Sequence, residues 1–400
     1  MGVVDKLQGS ADEVQGVRVI DARTVEIEIH APDSAFLARL TSEAAFVLDQ
    51  GQVTDDGSWL TSPNGTGPFR LGDYHPGRLI VLESNPLYHL GPPHLDGIRM
   101  ILDGQGSMSM YEDDAIHMTG VGVRDLPLIL DPEHPLHEQL HRSPPDFDVF
   151  YIGLNVTEPP FDDPRVCQAL NYAIDLQSIA ADVLGGRVSP ARGVIPPGFP
   201  SYNENLRGYE YKPDLARELI QGSIYGEALA SGAFPDITLT ISGSAGAPVP
   251  AYLQAILEQW RQELDIEVSV HQIEWADFIR GVGQRKYEMF STGWIAYYPD
   301  PAVFLRQLFH SNGNGNNTGY SNPEADRLLD EARIERDRER RFRIYNRVEQ
   351  MVLDDAPWVW TWFSGEGYAL IKPEVSGYIL TQMPVPRYRH VYFTEPAEVR

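Results

Sequence analysis

The string His137-Glu138-Gln139-Leu140-His141 carries the sharpest catalytic spacing in the chain. On a helix, an H-E-x-x-H pattern sets two imidazoles on one face to bind zinc, with the glutamate as general base. Its surroundings oppose that use. Pro135 stands just before it and Ser143-Pro144-Pro145 just after, leaving room for only about two turns of helix. His134 is near, but Pro135 separates it from the string. A zinc-dependent hydrolase using His137, Glu138 and His141 is therefore the competing reading. No residue is assigned a catalytic role, and no metal or cofactor is expected. Glu112-Asp113-Asp114 lacks a glycine-turned ligand loop and reads as a solvated turn. No G-x-S-x-G, Walker loop or dinucleotide fingerprint occurs in a strand–helix setting.

The stronger signal is aromatic. Trp294, Tyr297 and Tyr298 crowd together before Pro299-Asp300-Pro301, and Trp275 precedes them on a helix. Aromatic side chains at strand ends suit a ligand cleft, since each offers a large flat face and, in tyrosine and tryptophan, a polar edge. Trp275 and Trp294 are read as apolar pocket walls, and Tyr297 and Tyr298 as amphipathic cleft residues. Asp300 is read as a polar contact or a turn cap. Trp358, Trp360 and Trp362 alternate on a later strand, and such a stripe packs inward as core.

The elements that must position these residues alternate between strand and helix. Residues 17–29 read as a hairpin turning at Asp21-Ala22-Arg23, followed by a short helix at 35–40. Residues 50–77 are rich in Gly, Pro, Asp and Ser and read mostly as loop, with strands at 79–82 and 98–102. A strand at 149–154 leads to Asp163-Pro164, a helix start, and that helix is expected to run to about Leu184 before Gly185-Gly186. Strand 237–241, helix 250–264 and strand 267–273 form a β-α-β unit, hence a parallel sheet. Strand 290–294 and helices at 302–309, 324–333 and 337–353 follow, with residues 310–322 between them as an Asn/Gly-rich loop. The last strands are at 359–363, 368–371 and 388–393.

Composition narrows the function. The chain has 400 residues, 42% apolar and 22% charged, with a formal charge of −25. Such a surface repels phosphate backbones and anionic lipid, so nucleic acid is not an expected partner. The Arg-rich stretch 333–347 alternates with acids and reads as a solvent-facing helix. Cys167 is the single cysteine, which excludes an internal disulfide, and it reads as a small core residue.

Several strings, in order and spacing, resemble one family. They are Gly65-Thr66-Gly67-Pro68-Phe69-Arg70-Leu71, Leu82-Glu83-Ser84-Asn85-Pro86-Leu87-Tyr88, and Gly91-Pro92-Pro93-His94-Leu95-Asp96-Gly97-Ile98. Tyr151-Ile152-Gly153-Leu154-Asn155, Pro159-Pro160-Phe161-Asp162-Asp163 and the run from Arg165 to Asp175 follow. Ile195-Pro196-Pro197-Gly198, Gly293-Trp294, Asp300-Pro301 and the run from Tyr320 to Asp326 complete the set. The set is similar to the family 5 solute-binding proteins of ABC transporters, which include oligopeptide-, dipeptide- and nickel-binding members.

The resemblance implies an α/β fold of two lobes with an extra subdomain, closing on a ligand by a hinge. It implies that residues 1–48 are the end of the extra subdomain, 49–150 part of the first lobe, 151–365 the second lobe, and 366–400 a return to the first. It places Trp275 and Trp294 beside side-chain pockets of the cleft. The implied function is capture of peptides for an ABC importer, without enzymatic chemistry, in the periplasm or outside the cell and associated with the membrane. Oligosaccharides or other uncharged solutes in the same cleft are the alternative ligands, and ABC permease subunits the implied partners. Two departures stand out. The sequence starts inside the family pattern and shows no export signal, so the resemblance implies that an N-terminal segment or a second chain supplies the opening strands of the first lobe. Tyr297 also replaces the Asp that follows the Gly-Trp pair in peptide-binding members and holds the peptide α-amino group.

Overall fold

The computed structural model describes residues 2–7, 9–49, 51–53, 57–102, 106–122, 124–244, 246–383 and 387–394. The expected hairpin forms from β1 (Val17–Asp21) and β2 (Thr24–Ile27), with Val19 opposite Val25. Asp21 closes its turn by accepting from the Arg23 N–H at 2.8 Å and the Thr24 hydroxyl at 3.0 Å. Both strands are exposed along their whole length, so alternation here specifies register without marking a buried face.

Next comes a meander of β3 (Phe69–His75), β4 (Leu79–Ser84) and β5 (Gly97–Ile101). Residues 51–68, where described, are loop and one short turn as expected, but β3 at the end of the stretch 50–77 was not anticipated. Its register shifts between Leu71 and Asp73, and that irregularity breaks the alternation by which a strand is recognised. A second small sheet joins β6 (Met118–Gly120) and β7 (Leu140–Ser143) to a strand from far along the chain, residues 367–371.

The main sheet has six strands. It contains β8 (Asp148–Leu154), β9 (Val188–Pro190), β10 (Ile237–Ser242), β11 (Val268–Ile273), β12 (Met289–Ile295) and β13 (Trp358–Ser364), in the order β11-β10-β12-β8-β13-β9. β10 pairs in parallel with β11 from Ile237↔Val268 to Ser242↔Ile273, as the β-α-β unit requires, and the crossover helix is Ala251–Leu264. β8 runs antiparallel to both its neighbours, β12 and β13.

Two apolar cores lie on the faces of this sheet. Trp358 and Trp360 join one with Tyr151 and Phe309; Val359 and Trp362 join the other with Val166, Trp260 and Met289. A register shift between Trp360 and Trp362 sends Trp362 to the face opposite its two fellow tryptophans. The three therefore do not form one inward stripe, because a bulge inserts a residue and reverses the alternation. Cys167 is fully buried in the second core, and burial raises its thiol pKa well above the ordinary value.

The helix begun at Asp163-Pro164 ends at Tyr172, short of the expected Leu184. Asp175 accepts from the Ser178 N–H at 3.1 Å and starts a new short helix, Leu176–Ser178, so the Asp side chain competes with continuation of the first helix. At the front of the first helix, Asp163 accepts from the Arg165 N–H at 3.0 Å and from the Ile224 N–H at 2.8 Å. Asp163→Ala removes the cap and leaves both donors without this acceptor. A loss of about 1–2 kcal/mol is expected in urea denaturation, whereas Asp163→Asn should lose less than half of that.

Candidate functional site

Strands β10, β12 and β13 end at one edge of the six-stranded sheet, where antiparallel β8 begins. The helix Trp275–Gly283 starts beside this edge, just after β11. Ligands of open α/β sheets sit outside the carboxyl ends of parallel strands, where loops and helix starts leave a crevice. Here the edge holds a cavity of about 350 Å³ lined by Asp148, Tyr252, Trp275, Trp294, Thr361 and Trp362, among others.

Each aromatic wall is held differently. Trp294 is half-buried and its Nε1 donates to the Val303 carbonyl at 2.9 Å, which fixes the ring. Gly293 next to it is a close-approach position, because a Cβ there would lie 2.9 Å from the Phe150 ring. Trp275 stands at the rim, 61% exposed. Trp362 meets Tyr252 edge-on, with centroids 4.8 Å apart and planes at 87°. Trp362, Tyr252 and Asp148 were not legible as lining residues. Only a bulge turns Trp362 to this face, and an acid at the head of a strand looks like an ordinary strand boundary.

Tyr297 and Tyr298 line a second cavity of about 420 Å³, together with Arg39, Arg306 and Gln307. The Tyr297 hydroxyl donates to the Gln307 side-chain Oε1. Its ring meets Trp294 with centroids 6.2 Å apart, so the two cavities flank one aromatic contact. Tyr298 is buried below, with the Arg39 guanidinium 5.9 Å from its ring centroid, and burial pushes its phenol up to about 12. Asp300 lines neither cavity. It is 4% exposed, accepts from the Ala302 N–H at 3.0 Å and pairs with Arg341 at 3.0 Å. Of its two expected roles, the structure gives it the turn cap.

The H-E-x-x-H string does not make a zinc helix. His137–Gln139 is a single tight turn, and Leu140–Ser143 is strand β7, with His141 opposite Ala369. His137 Nδ1 lies 2.9 Å from the Ile129 carbonyl oxygen. Extended backbone sends the two imidazoles off the common face that a helix would provide. Among the described residues, no group of three or more His, Cys, Asp or Glu side chains could hold a metal ion. Glu112-Asp113-Asp114 ends a short helix, and Asp114 pairs with Lys372.

The family model of the bacterial extracellular solute-binding proteins, family 5 Middle, matches residues 4–316. This chain belongs to family 5 of those proteins. Family 5 relatives include the oligopeptide-binding protein OppA of Bacillus subtilis, 24% identical over 397 residues, covering 96% of this chain and 72% of OppA. Heme-binding protein A of Haemophilus influenzae is 28% identical over 387 residues, covering 92% of this chain and 67% of that protein. Among solved family 5 folds, the murein tripeptide binding protein MppA of Escherichia coli superposes with a TM-score of 0.83 at 22% identity, covering 99% of this chain and 78% of MppA. The DppA structure from Helicobacter pylori, in complex with the peptide STSA, gives 0.81 at 22% identity, over 97% of this chain and 75% of that one. The two-lobed α/β fold expected from the sequence is thus the fold of this family 5 chain. Among the described residues, no helix is long and apolar enough to cross a membrane.

Proposed function

We propose that this chain captures peptides outside the cytoplasm and hands them to the permease of an ABC importer, with no covalent chemistry. The observation that carries the reading is the tryptophan-walled cavity at the carboxyl edge of the six-stranded sheet. Its volume of about 350 Å³ suits one large side chain of a ligand whose remainder extends along the cleft. The chain crosses from β7 to β8 and returns from β13 to β14 (Gly367–Ile371) close to that cavity. Two short crossings make a hinge, about which residues 49–150 with 366–400 would close on residues 151–365. Relatives named for oligopeptides, di/tripeptides and glutathione support peptides as the ligand class.

The test is a thermal-shift panel of di- to pentapeptides and neutral oligosaccharides, followed by calorimetric titration. A ligand that binds only the folded chain raises its apparent stability. Peptides are expected to raise Tm. Shifts from sugars alone would replace the peptide reading with an oligosaccharide one, and stoichiometric zinc with hydrolytic turnover would replace it with an enzyme. Trp275→Ala separates wall from core: the ring is exposed, so Tm of the free protein should hold while peptide Kd rises roughly 3- to 10-fold. An unchanged Kd would remove Trp275 from the site.

A further inference from the structure

Asp148 heads β8 inside the tryptophan-walled cavity and is 7% exposed. Its carboxylate accepts from the Ser364 N–H at 2.9 Å and the Ser364 hydroxyl at 2.6 Å. A carboxylate has roughly four acceptor positions, so about two remain. It forms no ion pair among the described residues. Asp146, two residues away, adds a second negative charge; partial desolvation of its carboxyl, then the charge of Asp148, raises its pKa. A buried carboxylate without a cation is costly, and a second one nearby raises that cost.

An independent observation points the same way. Thr361 is 2% exposed and lines the same cavity, yet its hydroxyl has no hydrogen-bond partner among the described residues. Buried polar atoms are rarely left so, and one in a cavity wall marks a place for a ligand donor. Trp275, Trp294 and Trp362 line the same cavity. Aromatic faces attract cations and accommodate a methylene stem. A lining that combines three tryptophan rings with a carboxylate and an unpartnered buried hydroxyl matches the chemistry of a long side chain with an ammonium or guanidinium tip.

Resting on the peptide reading above, we infer that this cavity is a subsite for a basic side chain, lysine or arginine, of the bound peptide. Asp148 is its counter-ion, Thr361 accepts a further N–H, and the tryptophans hold the stem. The same ammonium chemistry is offered by a peptide's α-amino group, and the experiment distinguishes the two sources.

The experiment titrates wild-type protein at physiological salt with alanine tripeptides carrying lysine or norleucine at each position in turn, both free and N-acetylated. At one position lysine should bind roughly 10-fold or more tighter than norleucine, and N-acetylation should leave that ratio standing. Asp148→Asn keeps an acceptor for Ser364 and should bring the ratio within about 3-fold, chiefly by weakening the lysine peptide. Thr361→Val, close in shape, should lower the ratio without lowering Tm. A ratio near one at every position, or one that survives Asp148→Asn, overturns the inference while norleucine binding keeps the peptide reading. A preference lost on N-acetylation assigns Asp148 to the α-amino group and overturns the side-chain subsite. If no tripeptide binds at all, the peptide reading falls, and this subsite with it.

Discussion

Replacing Glu349 with glutamine is expected to make the protein gain stability, relative to wild type, as pH rises from 5 to 8.5. Glu349 lies on the helix Arg338–Asp355 and is fully buried. One carboxyl oxygen accepts from the N–H groups of Val194 at 2.8 Å and Ile195 at 2.9 Å; the other has no partner among the described residues. Burial outweighs those two bonds and moves the carboxyl from its ordinary 4.5 up to about 7. A raised folded-state pKa fixes the sign. The contribution of the neutral carboxyl is fully present below about 4.5 and is lost as pH climbs through about 7. The loss amounts to roughly 3 kcal/mol once the group is ionised in both states. Glutamine keeps an acceptor for the two N–H groups and does not titrate. Urea denaturation of both proteins at several pH values cancels every other titrating group from the difference. A difference that stays constant across the range would show that Glu349 does not ionise inside the fold.

The position of Glu349 also explains what a linear reading misses. Its partners lie more than 150 residues earlier, at the loop around Gly193. A Cβ on Gly193 would sit 2.5 Å from the carboxyl oxygen, so the loop and the helix fit only with glycine there. Nothing near Glu349 in sequence announces this, since the helix is otherwise laced with surface charge. By contrast, local chemistry was readable. Asp163-Pro164 marked a helix start and the β-α-β unit a parallel sheet, because caps and short-range periodicity act within a few residues. The Gly-Trp pair pointed to the cavity, but its acid did not. Asp148 becomes a cavity group only when β13 returns beside it, and Trp362 only through the bulge after Trp360. Bulges and long-range pairings are properties of the assembled sheet, so alternation predicted one face for three tryptophans that occupy two.

The last expected result concerns the peptide amine. N-acetylating a bound peptide should weaken binding less than about 10-fold, where a cleft built around an ammonium would lose more than about 100-fold, near 2.7 kcal/mol. Tyr297 is proposed to stand where peptide-binding members carry an amine-holding Asp. Burial raises its phenol pKa above the ordinary value, so it brings no negative charge at neutral pH. Its cavity holds Arg39 and Arg306, and no Asp or Glu lines it among the described residues. Both guanidiniums already have carboxylates, Arg39 with Asp33 at 3.0 Å and Arg306 with Asp330 at 2.9 Å. The neighbourhood is thus near neutral, and an ammonium gains there only a cation–π contact, about 0.5–2 kcal/mol. Asp300 does not rescue it, being committed to Arg341. Tyr297→Asp should create an amine preference, and Tyr297→Asp with Arg39→Gln should enlarge it, since the new carboxylate would otherwise face Arg39 first. Paired titrations of free and N-acetylated peptide on the three proteins decide the matter. A wild-type preference for the free amine above about 100-fold would mean that another acid holds it, and Asp148 would be the first candidate.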